Sequence, residues 1–428
     1  MQLRRSIGRW ALTGLMINSI IGSGIFGVPG ELLRLLGPAS PLACVLAGLT
    51  IGVIVACFVE VGSQFSKSGG PYLYVRTAFG RFLGIQVAWF TALTPMAAAA
   101  AQANLFVSYL AGFEPSMGSG TSRVLVIIGV IALPVVANLF GARAGKSLSS
   151  ILVVAKLAPL ILLIVAGLLY THNPAGRVEI AALPTPGATL WFSAVLLAVF
   201  NFGGFENALA ATGDVKEPGR AVPFALAASL AVCVIVNVLI QWVTVTALNG
   251  TSVTDRPLAA AASVVIGPWG ATLVAVAALI STSGAISATV LAVPRLLAAL
   301  GERGDLPTLF ARVQRGTGAP AIATMTVAAL IVLLGVSGTF KWALAVTAGS
   351  MTIFAGAVCA SLPRLRARQP QAATVRVPGG RALAVMGVAL SVLLLLQLEP
   401  REAAPIAITM AIAFLNWALV KRRPSIES

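Results

Sequence analysis

An apolar segment from Trp10 to Leu36 is long enough to cross a bilayer, yet Gly22, Ser23 and Gly24 fall at its middle, within N-S-I-I-G-S-G-I-F-G-V-P-G at 18–30. A spanning helix has least reason to break there. In lipid each unpaired N–H or C=O costs several kcal/mol, so irregular backbone at mid-depth persists only where it faces protein, water or a ligand. A second segment repeats the pattern. In F-N-F-G-G-F-E-N at 200–207, Gly203 and Gly204 interrupt an apolar run and Glu206 follows at once. Two Gly-interrupted spans in corresponding positions of two halves point to a transporter built from repeats, with its site near the bilayer midplane.

The rest of the chain supplies spans to surround those two. Of 428 residues 58% are apolar and only 10% charged, enough for about twelve spans of roughly 20 residues each. We place them near 10–36, 41–64, 82–111, 122–140, 148–170, 189–213, 221–248, 268–300, 319–336, 340–362, 382–398 and 402–420. The interrupted spans are then the first and the sixth. Five spans per repeat is an odd number, so the second copy enters the membrane from the opposite side and the repeat is inverted. The expected organisation is an all-α integral membrane protein of twelve transmembrane helices, with discontinuous helices 1 and 6. It comprises a cytoplasmic tail (1–9), a first repeat (10–170), a second repeat (189–362), two further spans (382–420) and a second tail (421–428). No short apolar core leading to a small-residue cleavage site precedes the first span, which is therefore expected to insert as it stands.

The net charge of +16 is sorted by membrane side before any acidic partner is considered. Of the 29 Lys and Arg residues, Arg123, Arg177, Arg256, Lys341 and Arg401 fall in one set of alternate loops, and Arg34 and Lys156 lie in or at the ends of spans. All the others fall on the opposite side, which by the positive-inside rule is cytoplasmic and holds both termini. No basic patch with interleaved aromatics suggests nucleic acid. Cys44, Cys57, Cys233 and Cys359 all lie in apolar runs without metal-ligand spacing, so neither a disulfide framework nor a metal site is expected. His172 is the single histidine, which removes most routes to histidine-based hydrolysis. No cofactor is called for, and an enzyme is the last choice among function classes.

The two breaks suit a zwitterion. Helix N-termini present N–H groups to an anion and C-termini present carbonyls to a cation. An amino acid carboxylate could rest on the amides of Gly22, Ser23 and Gly24, with its ammonium against carbonyls near Ile20, Phe200, Asn201 and Gly203. Gly204 lets backbone approach closely, and Phe200, Phe202 and Phe205 flank the second break. The alternative is that the small residues merely let helices pack tightly. Ionisable residues in spans are functional hypotheses by default. Lys156, in S-S-I-L-V-V-A-K-L-A-P, is too deep for easy snorkelling. Its ammonium could replace a bound sodium ion, or accept and release a proton. Glu206 could carry protons or tie the broken helix to a neighbour. Glu60, near the inner end of span two, is expected to pair with a cytoplasmic-side base. Ser281, Thr282 and Ser283 of span eight could hold an ion or simply satisfy their own backbone.

These residues resemble the amino acid-polyamine-organocation (APC) superfamily, in particular its amino acid permeases and exchangers. The likeness rests on I-I-G-S-G-I-F-G-V-P-G at 20–30, S-G-G-P-Y-L-Y at 68–74, F-G-G-F-E at 202–206, D-V-K-E-P-G-R-A-V-P at 214–223 and G-E-R-G-D-L-P at 301–307. The resemblance implies the APC fold of five plus five inverted-repeat spans and two more, working by alternating access. It implies that the first broken helix binds the substrate carboxylate and the sixth its amine, that Phe200 is an aromatic gate, and that Glu206 matches an acid of some members. Lys156 matches a lysine standing where related transporters bind sodium. Relatives with a disulfide-linked accessory subunit carry a cysteine between spans three and four; none lies in Gly112–Thr121, so no such subunit is expected. Alanines 97–101 near Gln102 and Asn104 suggest an uncharged pocket.

The expectation is therefore a sodium-independent transporter of small neutral amino acids, an exchanger or a proton-coupled carrier of a bacterial-type inner membrane. Its partners would be its amino acid substrate and the lipid bilayer. A cationic amino acid or polyamine carrier is the alternative within the class; a channel or a non-transporting sensor is the alternative outside it. The polar connection 363–381, with Arg364, Arg366, Arg368, Arg376 and Arg381 and no acid, should be cytoplasmic. Labelling of single cysteines placed there by a membrane-impermeant reagent is expected only after the bilayer is opened; labelling from outside intact cells would overturn the topology.

Overall fold

A chain in hydrocarbon must satisfy its own backbone, and the described residues do so with helices and no strand. The computed structural model describes residues 8–65, 70–140, 146–171, 186–205, 215, 218–248, 254–314, 317–368, 373 and 375–421, with the side chains of 146–155, 171 and 218–219 outside that description. The first half contains α1 (Arg9–Ile20), α2 (Val28–Leu36), α3 (Ser40–Gly62), α4 (Gly70–Phe79), α5 (Arg81–Leu110), α6 (Gly120–Leu139), α7 (Lys146–Thr171) and α8 (Ala188–Val199). The second contains α9 (Pro218–Ala247), α10 (Pro257–Val265), α11 (Pro268–Glu302), α12 (Ala321–Ser337), α13 (Phe340–Arg368), α14 (Gly380–Leu395) and α15 (Pro400–Val420). Among the described residues seven helices are long and apolar enough to cross a membrane, and four apolar helices are shorter. The first and sixth segments are each interrupted where expected.

Local chemistry starts and fills these helices. Proline stands in the first turn of α2, α3, α10, α11 and α15, where its missing N–H would have no partner anyway. At the start of α15, Glu399 and Glu402 form a reciprocal capping box. Hydroxyls inside apolar helices return their protons to the preceding turn. Thr50 donates to Leu46 at 2.9 Å, Thr244 to Ile240 at 2.8 Å, and Ser350 and Thr352 to Val346 and Ala348 at 2.7 Å each. That local bond lets a hydroxyl be buried at little penalty.

Burial separates inner helices from outer ones. The apolar window of α13 is 83% buried and that of α6 only 17%. Helix α13 packs between α5 and α14, whereas α6 turns Leu125 and Leu133 outward. An apolar surface of that kind is a lipid contact in a chain with this many apolar helices. Two segments expected as connections fold as helices, α4 and α10. Helix α13 also runs on to Arg368, past the expected end of the tenth span near 362. The extension is held by cations at a helix C-terminus, with Arg364 over the Phe79 ring at 5.1 Å.

The expected partner of Glu60 is Arg366. The guanidinium donates from Nε at 2.5 Å and from a terminal nitrogen at 2.6 Å, and the Val377 amide adds a third bond at 2.9 Å. A second buried carboxylate, Asp305, lies just beyond α11 and is 1% exposed. It accepts from Arg76 at 2.6 Å, from Arg81 at 2.8 Å and from the Tyr72 hydroxyl, while its backbone carbonyl accepts from Asn416 of α15 at 2.7 Å. Burial first, and the neighbouring Asp305 next, push the Tyr72 phenol above the usual tyrosine range, so it stays a donor. Asp305→Asn is expected to destabilise the protein by about 3 kcal/mol, because it strands guanidinium groups in a buried site. Asp255, paired with Arg34 but 75% exposed, should cost at most about 1 kcal/mol when changed to Asn. Thermal melts of both variants in one detergent check the contrast.

Candidate functional site

The first break begins where α1 ends at Ile20. The Gly22 amide folds back onto the Ile20 carbonyl at 2.7 Å, Gly22 is extended (φ −88°, ψ −166°), and Ser23–Phe26 form a single 3-10 turn before Gly27 leads into α2. Gly-Ser-Gly offers the helix little propensity to hold it together. The second break follows α8. Phe200–Phe202 make a 3-10 turn, Gly203 is extended, and Gly204 has φ +97°, a region that side-chain-bearing residues avoid.

The two breaks meet face to face. Ser19 Oγ donates to the Gly204 carbonyl at 2.7 Å. A Cβ on Gly204 would stand 2.5 Å from the Ser19 carbonyl oxygen, and one on Gly24 would stand 2.4 Å from the Phe200 ring and 2.7 Å from Asn201 Oδ1. Absent side chains therefore set the separation of the two backbones. Helix α11 packs against the 23–26 turn as well.

Lys156 of α7 completes the first break. Its ammonium donates to the carbonyls of Asn18 at 3.0 Å and Ile21 at 2.7 Å, groups that the end of α1 leaves without helical partners. A single tethered cation thus sits on the negative end of the helix. Neighbouring spans hold the remaining backbone: Tyr109 of α5 donates to the Phe26 carbonyl at 2.8 Å, and Gln241 of α9 to the Pro29 carbonyl at 3.1 Å. Asn201 donates to Asn237 Oδ1 at 2.9 Å, and Asn237 in turn to the Cys233 carbonyl at 2.9 Å.

Some polar atoms here have no protein partner. Asn18 Oδ1, Ser23 Oγ and Asn201 Oδ1 are buried and unpaired, and the Ser23 and Gly24 amides open a 3-10 turn that has no earlier carbonyl for them. Donors on one backbone and acceptors across from them are what a zwitterion needs. The Ile20 and Phe200 carbonyls each accept one bond, from Gly22 and from Gly203 at 3.2 Å, and keep a second lone pair. Phe202 is buried with its ring in the core.

Of the expected residues, the structure thus brings together Ile20, Gly22, Ser23, Gly24, Phe200, Asn201, Gly203, Gly204 and Lys156. Glu206 lies outside the described residues. Of the span-eight hydroxyls, Thr282 donates to Ala278 at 2.8 Å and Ser283 to Leu279 at 2.7 Å, and Ser281 is buried. Sequence reasoning missed Ser19, Tyr109 and Asn237. Asn237 carried a usable signal as an amide inside an apolar run; Ser19 and Tyr109 carried none.

The amino acid permease family matches residues 7–417 of the chain. An uncharacterized transporter of Mycobacterium tuberculosis is 31% identical over 332 residues, covering 72% of this chain and 68% of that protein. The serine/threonine exchanger SteT of Bacillus subtilis is 28% identical over 310 residues, 71% of this chain and 70% of the other. The methylthioribose transporter of the same organism is 25% identical over 444 residues, 99% and 95% of the two.

Comparison of Gly204 with Gly379, a glycine of positive φ just before α14, separates strain from contact. Gly379 (φ +67°) has open space where a Cβ would go, and Gly379→Ala should destabilise by about 1 kcal/mol from backbone strain. Gly204→Ala adds a collision with the Ser19 backbone and should exceed about 3 kcal/mol. Thermal melts of the two variants, run side by side, check the ordering.

Proposed function

The chain belongs to the amino acid permease family, and from that premise we propose that it is a sodium-independent secondary transporter of small neutral amino acids. It is a multi-pass membrane protein that moves a small molecule, a transporter and not an enzyme. In the proposed arrangement the substrate carboxylate lies on the amides of Ser23 and Gly24, the Gly22 amide, expected to join them, being held instead by the Ile20 carbonyl. Its ammonium faces Ile20, Asn201, the Phe200 and Gly203 backbone and the unpaired oxygens beside them, and Phe200 closes over it.

The observation that carries the sodium-independent reading is the Lys156 ammonium on the carbonyls of Asn18 and Ile21. It supplies the charge that a bound cation would otherwise bring to that helix end, so no external ion is needed to hold the break. A small neutral substrate accords with the alanines at 97–101 and with the serine and threonine handled by the exchanger of Bacillus subtilis. The facing breaks support a repeat of five spans (10–170 and 189–362), with 382–420 as two added spans. Both termini are proposed to be cytoplasmic, in the inner membrane of a bacterial-type cell. Alternating access would proceed as exchange or with proton coupling, the latter engaging Glu206 and Lys156.

Counterflow of labelled serine and alanine into sodium-free proteoliposomes tests the reading. Uptake is expected without sodium and to depend either on internal amino acid, which marks an exchanger, or on an imposed pH gradient, which marks a proton-coupled carrier. Lys156→Met is expected to reduce uptake at least about tenfold, because two buried carbonyls lose their cation. Uptake that requires sodium, or that is confined to arginine or putrescine, would overturn the proposal.

A further inference from the structure

Helix α5 passes the first break and leaves one polar group there unexplained. Two contacts fix the face it turns to the break. Tyr109 donates to the Phe26 carbonyl, and a Cβ on Gly27 would stand 2.9 Å from the Leu105 side chain. At about 100° per residue, Gln102, seven positions before Tyr109, comes back to within roughly 20° of the same direction. Its side chain is 8% exposed, yet its Oε1 has no hydrogen-bond partner.

Depth follows from chain direction. Helix α3 reverses α2 and α5 reverses α3, so α5 runs parallel to the interrupted first segment. Seven residues back from Tyr109 is a descent of about 10 Å. On the facing backbone, the same descent from Phe26 crosses the 3-10 turn at about 2 Å per residue and reaches the stretch between Ile20 and Ser23. Gln102 therefore stands level with the unpaired Ser23 Oγ and the amides that open the turn. The next α5 residue along this face is Ala98, which has no side-chain polar atom.

We propose that Gln102 reads the substrate's side chain, bonding a hydroxyl one carbon beyond the α-carbon, so that serine-sized hydroxy amino acids bind in preference to alanine. This rests on the transport reading above. With the carboxylate on the Ser23 and Gly24 amides and the ammonium toward Asn201, a side chain directed at α5 meets that carboxamide. A hydroxyl both donates and accepts, so it matches the carboxamide in either orientation. A methyl in its place leaves the buried amide unpaired, which is how a polar site rejects an apolar analogue.

The test is equilibrium binding of labelled serine to the purified full-length protein, displaced by alanine and by 2-aminobutyrate, in which a methyl replaces the hydroxyl. Serine is expected to bind about tenfold or more tighter than either, and Gln102→Met to bring the three within about twofold, with serine affinity falling and alanine affinity held or raised because no buried amide is left unpaired. Equal affinities in the native protein would overturn the inference, as would a serine preference that survives in Gln102→Met. If Gln102→Met binds no alanine, Gln102→Ala takes its place, and loss of alanine binding there too overturns it, because the residue would then hold the site together and not read a side chain. Failure of the native protein to bind any neutral amino acid would instead defeat the transport reading itself.

Discussion

Two interrupted helices of a membrane protein can coexist with lipid only if each finds its partners in the other and in the helices around them. That requirement organises what surrounds them. Ser19 spends its hydroxyl on the Gly204 carbonyl. Helix α7 delivers an ammonium to the end of α1, and α9 contributes Asn237 and Gln241. Remove the breaks and these polar groups would be buried without purpose; remove the groups and the breaks would be unaffordable in hydrocarbon.

Much of this was legible in the residues. Glycine pairs in the middle of apolar runs gave away both interruptions, and a lysine inside a span was conspicuous because a charge there needs a partner. What spacing could not supply was register across the fold. The Ser19–Gly204 bond joins positions 185 apart and the Glu60–Arg366 pair positions 306 apart. Both depend on how deep each helix sits against its neighbour, which no local pattern encodes. The run of Ser281, Thr282 and Ser283 shows the opposite limit. Its composition suits an ion site, but Thr282 and Ser283 bond the preceding turn of their own helix. Helices α4 and α10 were missed for a simpler reason: they are short and lie in stretches whose length fits a loop.

Burial alone does not mark a polar residue as functional in this molecule. Thr244, Ser350 and Thr282 are each fully buried, and each donates its hydroxyl proton within its own helix. Ser23 and Asn201, similarly buried, keep an atom with no such account. The distinction is one of pairing, and at the breaks it coincides with an irregular backbone.

The carboxylate of Asp305 gathers Tyr72 and Arg76 of α4 and Arg81 of α5, and its carbonyl gathers Asn416 of α15. Mechanically, α4, α5, α15 and the end of α11 are pinned to one point at one end of the bundle. Such a block is stiff: bending any piece alone would uncover a charge. Compliance is left to residues 21–27 and 200–204, which lack the ladder of bonds that stiffens a continuous helix. The molecule thus pairs a rigid abutment with two soft joints, and unpaired oxygens of Ser23 and Asn201 lie at those joints.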